Sequence, residues 1–244
     1  MKDAIRVEQL TKSYGELIAV KNLSLTVPVG SVFGLLGANG AGKTTAIECM
    51  LGTKKQDSGT VSVLGMNPLT DRNKLFERVG VQFQEANYQE KITVGELCEV
   101  KQSLYRDASD YKGLLKRFGI ADKIKSPVSE LSGGQKQRLF IILALIPNPE
   151  VVFLDELTTG LDARARRDVW KILKELKDKG ITILLTSHFM DEVEALCDTI
   201  CILKQGEVVF YGTVAEAISS SPHNTLEDAY LWYTDEEDMT DENL

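Results

Sequence analysis

Gly37-Ala38-Asn39-Gly40-Ala41-Gly42-Lys43-Thr44-Thr45 stands between a short apolar run, residues 31–36, and a helical pattern over residues 44–51. The spacing is GxxxxGK(S/T), and a strand before it with a helix after it is the setting in which that spacing cradles phosphate. Glycines at 37, 40 and 42 let the backbone wrap closely enough for its N–H groups to reach phosphate oxygens. The helix N-terminus behind them favours negative charge. Lys43 adds a cation for the β- and γ-phosphates of a nucleotide, and Thr44 offers a hydroxyl to Mg²⁺. The bland alternative is a glycine-rich turn with a stray lysine, and the flanking elements argue against it.

Further along, Val151-Val152-Phe153-Leu154-Asp155-Glu156 is an apolar run closed by two acids. A buried strand end does not carry a carboxylate pair without a cation nearby. Asp155 suits the role of holding Mg²⁺ through its water shell, and Glu156 that of polarising an attacking water.

Around these motifs, residues 31–36, 60–64, 151–154, 181–185 and 199–203 read as strands, several nearly continuous in apolar residues as doubly covered strands are. Val169, Ile172, Leu173 and Leu176 recur at helical spacing between two of them, which makes a βαβ unit. Residues 5–11, 17–27 and 60–64, linked by short polar turns, suggest an N-terminal antiparallel β subdomain. Over residues 94–119 the pattern turns helical, with Leu97, Val100 and Leu104 expected on one face and Leu114, Leu115 and Phe118 on another. The expected fold is α/β: a P-loop core with a mostly parallel sheet, that β subdomain and a small all-helical insert at about 86–145. One domain over 1–234 accommodates all of it, with an acidic, disordered tail at 235–244.

A P-loop alone gives ATP or GTP binding and little more. Leu131-Ser132-Gly133-Gly134-Gln135 narrows it, because it opens a helix faced by Leu139, Ile142, Leu143 and Ile146, with Ser132 placed to cap it. With this LSGGQ the sequence resembles the nucleotide-binding subunits of ATP-binding cassette (ABC) transporters, from about residue 5 to 234. The resemblance implies two ATP molecules sandwiched between two such subunits, with Ser132, Gly133, Gly134 and Gln135 against the partner's nucleotide. It further implies Tyr14 stacked on adenine, and Gln84 sensing Mg²⁺ and the γ-phosphate; Gln82 competes, and the spacing to Gly80 favours Gln84. By the same resemblance Asp162, in Thr159-Gly160-Leu161-Asp162, is the D-loop acid at the dimer interface, and His188 is the switch histidine beside Glu156. Leu157 departs from the family's usual proline after the catalytic glutamate, and Ala38 stands where proline is frequent. Lys43, Asp155, Glu156, Gln84 and His188 are all present, so hydrolysis is expected.

The net charge of −8 is placed unevenly. Beyond Lys204 there are ten acids and no Lys or Arg, so residues 1–204 carry 28 basic against 26 acidic side chains. The acidity therefore does not oppose a polyanionic ligand. The longest apolar run, residues 139–146, is eight residues against the roughly 20 that span a bilayer as a helix, and the first residues lack a secretory pattern. A cytosolic address is expected, peripheral on the inner face of the membrane through a separate membrane-spanning permease. Four cysteines and two histidines fall in no metal-ligand spacing, so free thiols are expected. The compact length and the hairpin near residues 206–213 look most like drug, antibiotic and sodium exporter ATPases. The rivals are a soluble ABC-type ATPase acting on ribosomes or DNA and a nucleotide-gated regulatory module. The first lacks its usual second cassette or coiled-coil insert, and Glu156 and His188 oppose the second, so no nucleic-acid partner is expected.

Overall fold

The computed structural model describes residues 2–82, 89 and 91–234. Two long strands, β1 (Asp3–Tyr14) and β2 (Leu17–Pro28), are followed by β3 (Val32–Gly37), α1 (Lys43–Met50), β4 (Ser58–Val63), α2 (Arg72–Phe76) and β5 (Val79–Gln82). The helical region holds α3 (Val94–Ser103), α4 (Tyr111–Arg117) and α5 (Gly133–Leu145). Next come β6 (Val151–Asp155), α6 (Ala163–Asp178), β7 (Thr182–Thr186), α7 (Met190–Leu196), β8 (Thr199–Lys204), β9 (Glu207–Gly212), α8 (Val214–Ser219) and α9 (Leu226–Thr234).

The strands form two sheets. The order β2-β1-β4 makes an antiparallel sheet, as expected for the N-terminal subdomain. The order β5-β6-β7-β3-β8-β9 makes the second, parallel except for β9. Its strands alternate their side chains between two cores, as the period-2 pleat dictates. Phe33, Leu35, Val151, Phe153 and Leu184 join the cluster formed with the antiparallel sheet and α1. Val32, Val152, Leu154, Ile183 and Leu185 join the cluster built with α3 to α7. Both faces are thus covered, which is why these strands read as unbroken apolar runs. Of the α6 stripe, Val169, Leu173 and Leu176 are buried and Ile172 packs against them.

The expected α3 face is only partly inward, with Leu97 packed against the helical-side core. In α3 the buried residues are Val94 and Cys98, whereas Val100 is 56% and Leu104 70% exposed. At 100° per residue the Leu97/Val100/Leu104 stripe lies roughly a quarter turn from the Val94/Cys98 stripe, and α4 and α5 pack against the latter. In α4 the expectation holds better, with Leu115 and Phe118 buried and Leu114 at the edge of the core. All four cysteines are free, and burial pushes the thiol of Cys49 up to about 11 and that of Cys98 to about 12. Thiolate chemistry is thereby suppressed at both.

Candidate functional site

Gly37, Asp155 and Thr186 are the last residues of β3, β6 and β7, three adjacent parallel strands. Their carboxyl ends form the edge at which open α/β sheets bind ligands. Asp155 pairs in register with Thr186. That register lets the Thr186 hydroxyl donate to Asp155 Oδ1 at 2.6 Å while accepting the Glu156 N–H at 2.9 Å.

From Gly37 the chain turns tightly into α1, and two glycines make the turn possible. Gly42, at φ 100°, caps α1 where a Cβ would lie 2.2 Å from the Ala19 carbonyl oxygen. At Gly37 a Cβ would lie 2.5 Å from the carbonyl oxygen of Leu203. The Ala41 N–H closes the loop on the Ala38 carbonyl at 3.1 Å. Lys43 is only 5% exposed, and its ammonium donates to the carbonyls of Gly37 at 2.8 Å and Ala38 at 3.1 Å. Burial pulls its pKa below the ordinary lysine value, against the opposing pull of Glu156 and Asp155. Lys43 is thus a cation held within the loop, 3.9 Å from Glu156 Oε1.

Asp155, 3% exposed, lies 3.4 Å from the Thr44 hydroxyl through Oδ2. These two hard oxygen donors fit a Mg²⁺ site. Next to them, Glu156 adopts φ 49°, the left-handed region that costs a non-glycine residue on the order of 1 kcal/mol or more. Its carboxylate pairs through Oε1 with His188 Nε2. Leu157 is buried in the helical-side core, which gives this departure from the family's proline a packing role.

A cleft of about 900 Å³ opens over this arrangement, lined by Tyr14, Asn39, Gly40, Gly42, Lys43, Thr44, Thr45 and Glu156. Tyr14 stands at the end of β1 with the Lys12 ammonium 5.4 Å from its ring centroid. Asp57 fixes that strand end, accepting from Lys12 Nζ at 2.9 Å and the Ser13 N–H at 2.6 Å. Lys21, Gln205 and Glu207 also line the cleft, with Lys21 and Glu207 paired at 2.6 Å. None of Asp57, Lys21, Gln205 and Glu207 was a site candidate in the sequence.

Ser132, Gly133, Gly134, Gln135 and Asp162 do not reach that cleft. They line a separate recess of about 390 Å³. Ser132 caps α5 as expected, its hydroxyl accepting the Gln135 N–H at 3.4 Å while Gln135 Oε1 accepts the Ser132 N–H at 3.0 Å. Asp162 caps α6 in the same way, accepting the Ala165 N–H at 2.8 Å. Gln84 lies outside the described residues; Gln82 is buried at the end of β5.

Residues 20–159 match the model of the ABC transporter family. Nod factor export ATP-binding protein I of Paraburkholderia xenovorans is 40% identical over 223 residues, covering 89% of this chain and 73% of that protein. The protein of the same name from Mesorhizobium japonicum is 41% identical over 241 residues, covering 91% of this chain and 71% of its own length. Among solved structures, an ATP-binding subunit of an ABC transporter superposes with a TM-score of 0.86 at 25% identity, over 95% of this chain and all of that one. A bacterial ABC transporter cassette solved as a dimer superposes with a TM-score of 0.75 at 25% identity, over 86% and 98% of the two chains. Three strand ends, a phosphate loop and a separate LSGGQ recess accord with these likenesses: the chain belongs to the ABC transporter family, as an ATP-binding, ATP-hydrolysing subunit.

Proposed function

We propose that this chain powers export through a separate membrane-spanning permease, closing on ATP with a second ATP-binding subunit and opening after hydrolysis. One observation carries the dimer: the phosphate-binding cleft and the LSGGQ recess share no lining residue. A single chain therefore presents two half-sites, and a second subunit completes each. Exporter names among the relatives support the direction of transport. Among the described residues no helix is long and apolar enough to cross a membrane, so the permease is assigned to another chain.

In this reading the loop N–H groups and Lys43 hold the β- and γ-phosphates, and Tyr14 stacks on adenine. Thr44 and Asp155 are the residues that would hold Mg²⁺, which would supply charge neutralisation at the phosphates, and Gln84 would sense it. Glu156 polarises the attacking water, and His188 keeps its carboxylate oriented. Ser132, Gly133, Gly134 and Gln135 contact the partner subunit's nucleotide, and Asp162 crosses the interface.

The test is capture of the tagged full chain carrying Glu156→Gln from ATP-treated membranes. Recovery of a multi-span subunit together with a cassette dimer supports the reading. Recovery of ribosomes or DNA in their place overturns it.

Two smaller effects follow. Asp57→Ala frees the strand end that carries Tyr14, so KM for ATP rises while kcat stays unchanged. Steady-state kinetics read this directly. The outward Val100, on α3, and Leu104, at its C-terminal cap, adjoin the stretch of about 84–99 that the family resemblance sets against the permease. Leu104→Glu should change stability by no more than about 0.5 kcal/mol, as exposed substitutions do, yet reduce recovery of the membrane subunit.

A further inference from the structure

Glu192, on α7, is a carboxylate the site described above does not use, and it is only 3% exposed. Its Oε2 accepts from the Ser187 hydroxyl at 2.5 Å and from the Thr158 hydroxyl at 3.1 Å, and its Oε1 accepts from the Trp170 indole N–H at 3.0 Å. The three donors come from three segments. Thr158 lies in the turn between Glu156 and Asp162, Ser187 immediately precedes His188, and Trp170 is on α6.

Both turns are also tied internally. The Thr159 N–H donates to the Glu156 carbonyl and the Leu161 N–H to the Thr158 carbonyl, each at 3.2 Å. The Ser187 hydroxyl accepts the Phe189 N–H at 3.0 Å, which closes the turn around His188. Among the described residues no Lys or Arg forms an ion pair with Glu192. Burial pushes this carboxyl above the usual range, and the three hydrogen bonds oppose that push. A buried acid without a cation is a costly way to fill a core that an apolar side chain would fill more simply.

We propose that Glu192 is a positioning residue of the ATPase cycle: it couples the turn carrying Glu156 and Asp162 to the turn carrying His188, so that closure of a partner on Asp162 sets the Glu156–His188 pair. The proposal rests on the roles given above to Glu156, Asp162 and His188. It adds a shared acceptor on α7 through which the two turns, at Thr158 and Ser187, move as one unit.

The experiment compares steady-state ATP hydrolysis and melting temperature for the full-length wild type, Glu192→Leu, Glu192→Gln and Glu156→Gln. Glu192→Leu should lower kcat about tenfold, the scale of coupling between contacting groups, with KM within about twofold. Glu192→Gln retains an acceptor for the hydroxyls and should recover most of that loss. Wild-type kcat in Glu192→Leu overturns the proposal, as does a Glu192→Gln that is no better than Glu192→Leu. Should Glu192→Leu fail to fold, Ser187→Ala, Thr158→Val and their combination decide. A combined loss smaller than the product of the single losses supports a shared acceptor, and a full product overturns it. Undiminished turnover in Glu156→Gln would instead overturn the site assignment, whatever Glu192 does.

Discussion

Glu156→Gln should abolish steady-state turnover, lowering kcat by about 10²–10⁴-fold, the contribution of a positioned general base. The substitution keeps the size of the side chain and removes its charge and basicity. The backbone that aims it keeps its anchor, because the Glu156 N–H remains bound to the Thr186 hydroxyl. Binding should survive. Removing a negative charge 3.9 Å from Lys43 takes away repulsion toward the phosphates, so ATP is held and not consumed. The variant should therefore accumulate as an ATP-bound dimer, seen as a doubled mass by light scattering with ATP and a single mass without nucleotide. Undiminished hydrolysis would remove Glu156 from its assigned role; lost turnover without dimer accumulation would separate chemistry from association.

The phosphate loop, Asp155 and Glu156 were legible in the sequence because their chemistry forces local patterns. Glycines must sit where a Cβ would strike Ala19 or Leu203, and acids must close an apolar strand. The double covering of the large sheet was legible too, since strands buried on both faces read as unbroken apolar runs, but which residue joins which core was not. What escaped were partnerships across the chain. Thr186 orders Asp155 and Glu156 from 31 residues beyond Asp155, and nothing in Thr186 itself marks it until the register of β6 and β7 is known. Asp57 meets Lys12 from just before the neighbouring strand β4, 45 residues along the chain, and Glu192 reads as one more acid in an acidic helix start. The α3 face was partly misread because two apolar stripes compete on one helix, and only the packing of α4 and α5 chooses between them.

Lys43→Met should separate the charge of the loop from its shape. The ammonium is buried, its pKa is pulled down by that burial, and its two partners are loop carbonyls rather than distant elements. Its removal relieves a desolvated charge while costing two local hydrogen bonds, so the melting temperature without nucleotide should stay close to that of the wild type. With ATP the outcome differs. Charge-assisted hydrogen bonds of about 1.5–3 kcal/mol are lost to the phosphates, weakening binding roughly 10- to 100-fold. Loss of a preorganised cation at the transferring group lowers kcat by a further factor of about 10²–10³. At an ATP concentration 100 times the wild-type Kd, binding stabilises the wild type by about 2.7 kcal/mol; a 100-fold weaker variant retains only about 0.4 kcal/mol. Thermal melting with and without ATP therefore reads the two effects apart: an unchanged nucleotide-free transition and a collapsed ATP-induced shift. A shift equal to that of the wild type would mean that the loop N–H groups suffice for binding and that Lys43 acts on the transition state alone. A nucleotide-free transition lowered by several degrees would make the lysine a strut of the loop, with its bonds to the Gly37 and Ala38 carbonyls as its principal work.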